Sequence, residues 1–419
     1  MKETEIKGRG FPQLLKVNEA IKRIEKEIKY KINEFERTHI DRVIGRINYE
    51  DIRSPIDVPP FDRAAMDGYA IKAEEIIGAS INNPITLKII DEIKPGETPK
   101  KEVKKGTAIE ISTGAPIPPG ANAVIPYENV KRTNRQIEVY STIPPGKNVS
   151  RKGEDLKRNQ IIIERRTIIR PWNIAALASA NITELKVLRK PRIAIISTGA
   201  ELIEPGETPT PGKVINSTKI MLGELIKENG GEPIEYGNLE DDTDKISKNI
   251  LKASKENDIV ITTGGTSIGK SDYTIEAALK IGANLIFHGV AIRPGKPVAL
   301  AKLKEKPIIM LSGYPVAALM EFEIFVKKII HKICDTKEMP PLKIKAKIKR
   351  RTPSQLGVRD FLRVILKRTK KGIIAEPLRL TGSGILSTIT RATGIIEIPE
   401  EVEGLEKGEI VDVIILKPF

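Results

Sequence analysis

From residue 191 to residue 335 the chain alternates between apolar runs and amphipathic stretches. IAIIS, PIEYGN, DIVITT, LIFHG, PVALA and PIIML read as strands, while STKIMLGELIKENG, TDKISKNILKASKE, TIEAALKIG and PVAALMEFEIFVKKII read as helices. Runs this continuously apolar suit strands covered on both faces, and their alternation with helices predicts an α/β domain with a mainly parallel sheet. Ligands of such sheets lie beyond the carboxyl ends of the strands, so the residues that follow each run are the first candidates for function.

The flanking segments obey other patterns. Residues 11–37 carry Leu14, Ala20, Ile21, Ile24 and Ile28 at helical spacing, which predicts one long amphipathic helix with a solvated, lysine-rich face. Between 47 and 155, short β-type runs (PITLKII, GTAIEIS, NAVIPYE, QIEVY) alternate with turns such as KPGE, PIPPG and IPPGK, which predicts a compact all-β module. RPWNIAALASANI returns to helix, with Pro171 at a first-turn position. Beyond 341 the chain is β again (KIKAKIK, FLRVILK, GIIEIPE, EIVDVIIL). The expected fold is an elongated multidomain chain of α/β plus β class. It comprises a helical linking domain (10–46 and 156–186), a β-rich module (47–155), an α/β domain (187–338) and a small C-terminal β-barrel (339–419).

Composition narrows the function classes. The chain of 419 residues has a net charge of +15 but only 4% aromatic residues, and no nucleic-acid motif or stacking platform accompanies the charge. A basic protein of this kind can equally hold a small polyanion, and no nucleic-acid partner is expected. No run of eighteen apolar residues occurs and MKETEIKGRG lacks an apolar signal core, so no membrane span is expected and cytoplasm is the default location. The single cysteine, Cys334, excludes an intrachain disulfide, and the histidines His39, His288 and His331 show no zinc spacing.

The stretch TTGGTSIGKSDY (Thr262–Tyr273) fits P-loop spacing through Gly264, Gly269, Lys270 and Ser271, with a strand before it and a helix after it. A P-loop enzyme also needs an acid at the end of a second apolar strand to hold magnesium. The strands here run into STG, TTGG and LSGYP instead. The nucleotide reading is unsupported, and the bland alternative is a glycine turn between strand and helix.

A different pattern fits better. GGTSIGKSDY resembles the GGxSxGxxDY signature of proteins that handle molybdopterin. PPFDRAAMDGYA (59–70), ISTGAPIPPGANAVIPYE (111–128), RKGEDL (151–156), ISTGAEL (196–202), IRPGKPVALA (292–301) and LTGSGILSTITRATGIIEIPE (380–400) resemble, in order, segments of the molybdopterin molybdenumtransferases of the MoeA and gephyrin E-domain type. The resemblance spans essentially the whole chain. It implies an enzyme that inserts molybdenum from molybdate into adenylylated molybdopterin and releases AMP, with Mg²⁺ as cofactor. It also implies a homodimer whose sites are shared between subunits, with the molybdopterin adenylyltransferase as a further partner. A tungstate-selective relative and a non-catalytic pterin-binding scaffold of the same fold are the alternatives.

The resemblance also assigns roles. Gly264, Gly265, Thr266, Ser267 and Gly269 would bring backbone N–H groups to the anionic ligand. Glu201, Asp241 and Asp272 follow strands and would hold Mg²⁺ through hard oxygen donors. Asp241 could equally cap the helix that begins after it. Arg293 and Lys296, in a turn stiffened by Pro294 and Pro297, would grip molybdate or a phosphate, arginine being the better bidentate ligand. Gly313 and Pro315 would line the same site, and Arg359 and Ser383 would close it from the C-terminal domain. Asp67, Thr113 and Asp155 from the β-module would reach the partner's α/β domain, Thr113 with a hydroxyl donor and Asp67 with a carboxylate. His288 reads as a packed strand-end residue, Cys334 as filler and Trp172 as packing at a helix start.

Several positions depart from the family pattern. Ala200 replaces an acid, Gly289 a lysine, and Ser312, Tyr314 and Ala317 stand where the pattern has Pro, Asn and Ser. Ala317 removes a hydroxyl and Gly289 a cation, a loss of roughly 1–3 kcal/mol per charge-assisted hydrogen bond to an anion.

Overall fold

Helix α1 (Val17–Glu27) buries Val17, Ala20 and Ile24 and stops there, because Ile28 takes an extended backbone (φ −87°, ψ 103°). The long helix expected over 11–37 is therefore a shorter one followed by extended chain. Ile28 and Ile32 are both fully buried and mimic a helical i, i+4 pair. Ile32 instead donates its N–H to the Ile333 carbonyl at 2.9 Å, and Phe35–His39 forms strand β1. A tertiary hydrogen bond at the end of another helix has overridden local periodicity.

The computed structural model describes residues 14–265, 272–378 and 382–419, and its contacts divide the chain into two compact units, Glu36–Val187 and Met1–Phe35 with Leu188–Phe419. In the former, β2 (Gly68–Ile71), β3 (Ile85–Ile93), β4 (Thr107–Ile111), β5 (Ala123–Pro126), β6 (Val130–Thr133) and β7 (Gln136–Val139) form one sheet in the order β5-β2-β4-β3-β7-β6. Alternation sends Tyr69, Ile71 and Ala108 to one core and Ala70, Ile109 and Ile111 to another. Gly68 lets β2 and β5 approach, since a Cβ there would lie 2.0 Å from the Ile125 carbonyl oxygen. Helix α2 (Pro171–Ser179) begins on Pro171 as expected, but Trp172 is 70% exposed and packs no core. Strand β8 (Glu184–Leu188) pairs with β1.

In the larger unit the expected alternation holds throughout. The chain runs β9 (Arg192–Thr198), α3 (Ser217–Glu228), β10 (Glu232–Leu239), α4 (Thr243–Glu256), β11 (Ile259–Thr263), α5 (Tyr273–Lys280), β12 (Asn284–His288), β13 (Ile292–Arg293), β14 (Ala299–Leu303), β15 (Lys306–Leu311), α6 (Pro315–Glu321) and α7 (Lys327–Cys334). The main sheet has the order β10-β9-β11-β15-β14-β12. Its first four strands are parallel, and at one edge β14 pairs antiparallel with β15 and β12 antiparallel with β14. Ala194, Ile196, Val260, Ile308 and Met310 meet α4 and α5 on one face. Ile193, Ile195, Ile259, Ile261 and Ile309 are fully buried on the other, where α3 and α6 pack. Each such side chain contributes about 1.5–3 kcal/mol of burial free energy, which explains why the strands read as unbroken apolar runs. The strand order reverses direction between β9 and β11, which places a crevice at their carboxyl ends.

After α7 the chain forms β16 (Lys343–Ile348), β17 (Arg359–Thr369), β18 (Gly372–Pro377), β19 (Gly394–Ile398) and β20 (Ile410–Ile415). Their order β17-β18-β16-β20-β19 closes through a β17–β19 pairing into the expected small barrel. Leu362, Val364, Ile396 and Val413 fill it. The short β13 pairs with β17, with Ile292 opposite Arg359 and Arg293 opposite Asp360, so the barrel is tied to the α/β layer. Among the described residues no helix is long and apolar enough to cross a membrane.

Candidate functional site

At the crevice, three strand ends turn sharply. Gly199 follows β9, Gly264 and Gly265 follow β11 with φ of +84° and +65°, and Gly313 lies two residues past β15. A Cβ on Gly264 would lie 2.2 Å from the Thr198 carbonyl oxygen, and one on Gly265 would lie 2.9 Å from Thr198 Oγ1. Both conformation and space demand glycine here. Gly313 abuts Gly264 (3.4 Å from its added Cβ to Gly264 Cα), and Thr218 Oγ1 donates to the Gly313 carbonyl at 2.9 Å. The Ser383 carbonyl accepts the Val316 N–H at 3.0 Å, beside half-buried Pro315. Gly264, Gly265, Gly313, Pro315 and Ser383 therefore meet along one edge. Thr266, Ser267 and Gly269 lie outside the described residues.

The acids do not behave alike. The Glu201 carboxylate folds over Gly199, 2.7 Å from where its Cβ would stand. Burial, and then the charge of Glu201, push the Asp241 carboxyl above its usual range, so these two acids are neighbours. No basic side chain within ion-pair distance neutralises either acid among the described residues. The capping alternative falls to the next residue: Asp242, not Asp241, accepts the Asp244 and Lys245 N–H groups at the start of α4.

Asp272 occupies the N-cap position of α5 without making a cap bond. Burial, then Glu276, push its carboxyl up to about 7. Its Oδ1 is buried without a hydrogen-bond partner among the described residues, and its Oδ2 lies 3.3 Å from His288 Nε2. Burial also holds the His288 imidazole below its usual range, so a neutral contact suits the pair better than an ion pair. His288, expected as a packed strand-end residue, thus also faces a carboxylate. Its position at the end of β12, an edge strand, was the available signal. Among the described residues no three His, Cys, Asp or Glu side chains gather as a cation site, so the expected trio reduces there to the Glu201–Asp241 pair, with Asp272 apart.

Two arginines expected at the site, Arg293 as an anion clamp and Arg359 as a closing residue, are already engaged. The guanidinium of Arg293 pairs in bidentate fashion with Asp360, which is 1% exposed and also accepts the Ser354 hydroxyl. Arg359 binds Glu400 through Nε (3.0 Å) and Nη2 (2.9 Å) and Glu397 through Nη1 (2.8 Å). Freeing either would leave a buried carboxylate uncompensated, which costs several kcal/mol. Arg293 thus ties β13 to β17, and Arg359 ties β17 to β19 and to the residue two past its end. Lys296 is exposed on the following turn and Pro297 is half-buried.

In the Glu36–Val187 unit, Asp67 Oδ1 accepts the Thr113 N–H at 2.7 Å and its hydroxyl at 3.1 Å, so MDGYA and STGAP converge on an exposed edge. Asp155 lies on another exposed turn, its N–H bonded to the Val58 carbonyl at 3.1 Å.

Models of the MoeA N-terminal region (domains I and II), of a probable molybdopterin-binding domain and of the MoeA C-terminal region (domain IV) match residues 15–181, 194–332 and 345–416. The chain belongs to the MoeA family. A molybdopterin molybdenumtransferase of Staphylococcus epidermidis is 35% identical over 404 residues, covering 96% of this chain and 95% of its own. One of Staphylococcus aureus is 32% identical, covering 90% of each. The crystal structure of a molybdopterin biosynthesis MoeA protein from Pyrococcus horikoshii superposes with a TM-score of 0.84 at 38% identity, covering 96% of this chain and 100% of that one. Membership makes this chain an enzyme of the molybdopterin molybdenumtransferase class, acting in molybdenum cofactor biosynthesis.

Proposed function

We propose that the chain inserts molybdenum from molybdate into adenylylated molybdopterin and releases AMP, with magnesium as its resident cation, in the cytoplasm. The observation that carries this reading is the Glu201–Asp241 pair, two neighbouring carboxylates beside a glycine-lined strand edge with no ion pair among the described residues. Unneutralised carboxylates of this kind suit a hard, partly hydrated Mg²⁺. Such a cation neutralises phosphate charge and polarises a phosphorus–oxygen bond.

The chain's own residues do the rest. Gly264 and Gly265 let the backbone approach the anionic pterin. Asp272, whose carboxyl burial pushes up to about 7, is suited to accept or give a proton through Oδ1, which has no hydrogen-bond partner among the described residues. Lys296 supplies an exposed cation on a turn that Arg293 anchors. In a homodimer, Asp67, Thr113 and Asp155 of one subunit complete the site of the other.

The test is AMP release from adenylylated molybdopterin with molybdate and Mg²⁺. Wild type should turn over, and Asp272→Asn should lose at least about a hundredfold of the rate, as expected for a positioned acid–base group, while it still unfolds cooperatively and at no lower a temperature than wild type. Undiminished turnover in that variant refutes the site. Tight pterin binding without AMP release selects a scaffold, and faster release with tungstate selects the tungstate-specific alternative.

A further inference from the structure

Glu321 is the one glutamate of the α/β layer with no exposed surface, and no cation pairs with it among the described residues. Both of its carboxyl oxygens go to a single residue. Oε2 accepts the Ser312 N–H at 2.7 Å, and Oε1 lies 2.6 Å from Ser312 Oγ. Ser312 is itself only 5% exposed and is the first residue after β15. On its other side Glu321 supports the turn of Arg293–Pro297: a Cβ on Gly295 (φ +110°) would lie 2.8 Å from Glu321 Cγ. The helix also changes character here, α6 ending on Glu321 and a π-helical turn, Phe322–Val326, following it. Such turns recur at functional sites because they redirect a side chain.

An apolar residue would fill this buried space at lower cost than a carboxyl group. Stability therefore does not explain the glutamate, but position does. The Ser312–Val316 turn touches Gly264, receives the Thr218 hydroxyl and donates to Ser383. Glu321 stands between that turn and the one carrying Lys296. The bond also depends on the departure at position 312, since a proline there has neither N–H nor hydroxyl to offer.

We propose that Glu321 is a positioning residue: through Ser312 and Gly295 it fixes the two turns that present Gly313, Pro315, Lys296 and Pro297 to the pterin. This rests on the proposed pterin site. The test compares wild type, Glu321→Leu, Glu321→Gln and the milder Ser312→Ala by KM and kcat for adenylylated molybdopterin, and by hydrogen exchange without ligand. The leucine variant should raise KM about ten- to a hundredfold with a smaller change in kcat, as expected for displacement of binding groups by a fraction of an ångström. Glutamine can accept the N–H and donate to the hydroxyl, and should restore KM to within about threefold of wild type. Ser312→Ala should fall between them. Amides of 293–297 and 312–316 should exchange at least about tenfold faster in the leucine variant, with core strands unchanged. Unchanged KM and exchange in Glu321→Leu, or a Glu321→Gln as impaired as the leucine variant, overturns the proposal. If wild type binds no pterin, the proposed function fails, and the exchange result alone decides for or against the clamp.

Discussion

Replacing Glu321 by glutamine should change how the stability of the larger unit depends on pH. The carboxyl is fully buried, and burial pushes it up to about 8 against the bonds from Ser312, from a value of 4.5 in the unfolded chain. Between those values the folded state holds a proton that the unfolded state has released. Stability therefore falls as pH rises, by about 1.4 kcal/mol per pH unit and on the order of 5 kcal/mol across the window. Glutamine cannot titrate, so the variant loses this slope while keeping the hydrogen bonds. Asp272 tilts wild type in the same direction below about 7, whereas buried His288 and His331 tilt it the other way below 6.5. The difference between the two chains is thus the informative quantity. Trp172 lies in the other unit and does not report on this one. Cys334, the single thiol, lies buried on α7 and does. Its labelling rate in urea at pH 5.5 to 8, normalised to that of the unfolded thiol at each pH, gives the opening free energy. The stability advantage of Glu321→Gln should grow steadily across that range. Parallel curves would mean that Ser312 is not held by a neutral, buried carboxyl.

Three further perturbations follow from the geometry. Gly264→Ala places a methyl group 2.2 Å from the Thr198 carbonyl in a left-handed backbone, and should destabilise the unit by about 1–3 kcal/mol and weaken pterin binding, measured by thiol labelling and ligand titration. Asp258 is 2% exposed; burial pushes its carboxyl up, but bonds from Arg189 and Tyr30 hold it at about 2. Asp258→Asn should therefore cost about 3–5 kcal/mol above pH 3.8, with the cost fading as pH falls through about 2, measured by urea midpoints. Mixing inactive Asp67→Asn and Asp272→Asn chains under exchange should restore about a quarter of wild-type AMP release if homodimeric sites are shared, and none if each site lies within one chain.

The parallel sheet was legible because its strands are buried on both faces and carry their apolar character continuously. That Glu201, Asp241 and the glycine turns lie at strand ends was legible because each follows directly on an apolar run. What remained hidden depends on partners remote in sequence. Arg293 looked like a free clamp until Asp360, from the barrel, took its guanidinium. Arg359 was absorbed by Glu397 and Glu400 in the same way. Ile28 and Ile32 kept helical spacing in a segment that another helix end pulls into extended form. Ser312 looked like a mere loss of proline, because its reason, Glu321, appears only when the helix folds back over the strand end. Even the Asp241 ambiguity was a matter of one residue, with Asp242 taking the cap.

If Glu201 and Asp241 form the cation-binding edge of a pterin site, turnover must depend on Mg²⁺ through both carboxylates. AMP release at saturating adenylylated molybdopterin and molybdate should be measured against Mg²⁺ concentration for wild type and Asp241→Asn. A half-saturating Mg²⁺ at least about tenfold higher in the variant, with pterin affinity nearly unchanged, is the predicted result. Superimposable magnesium curves would contradict it.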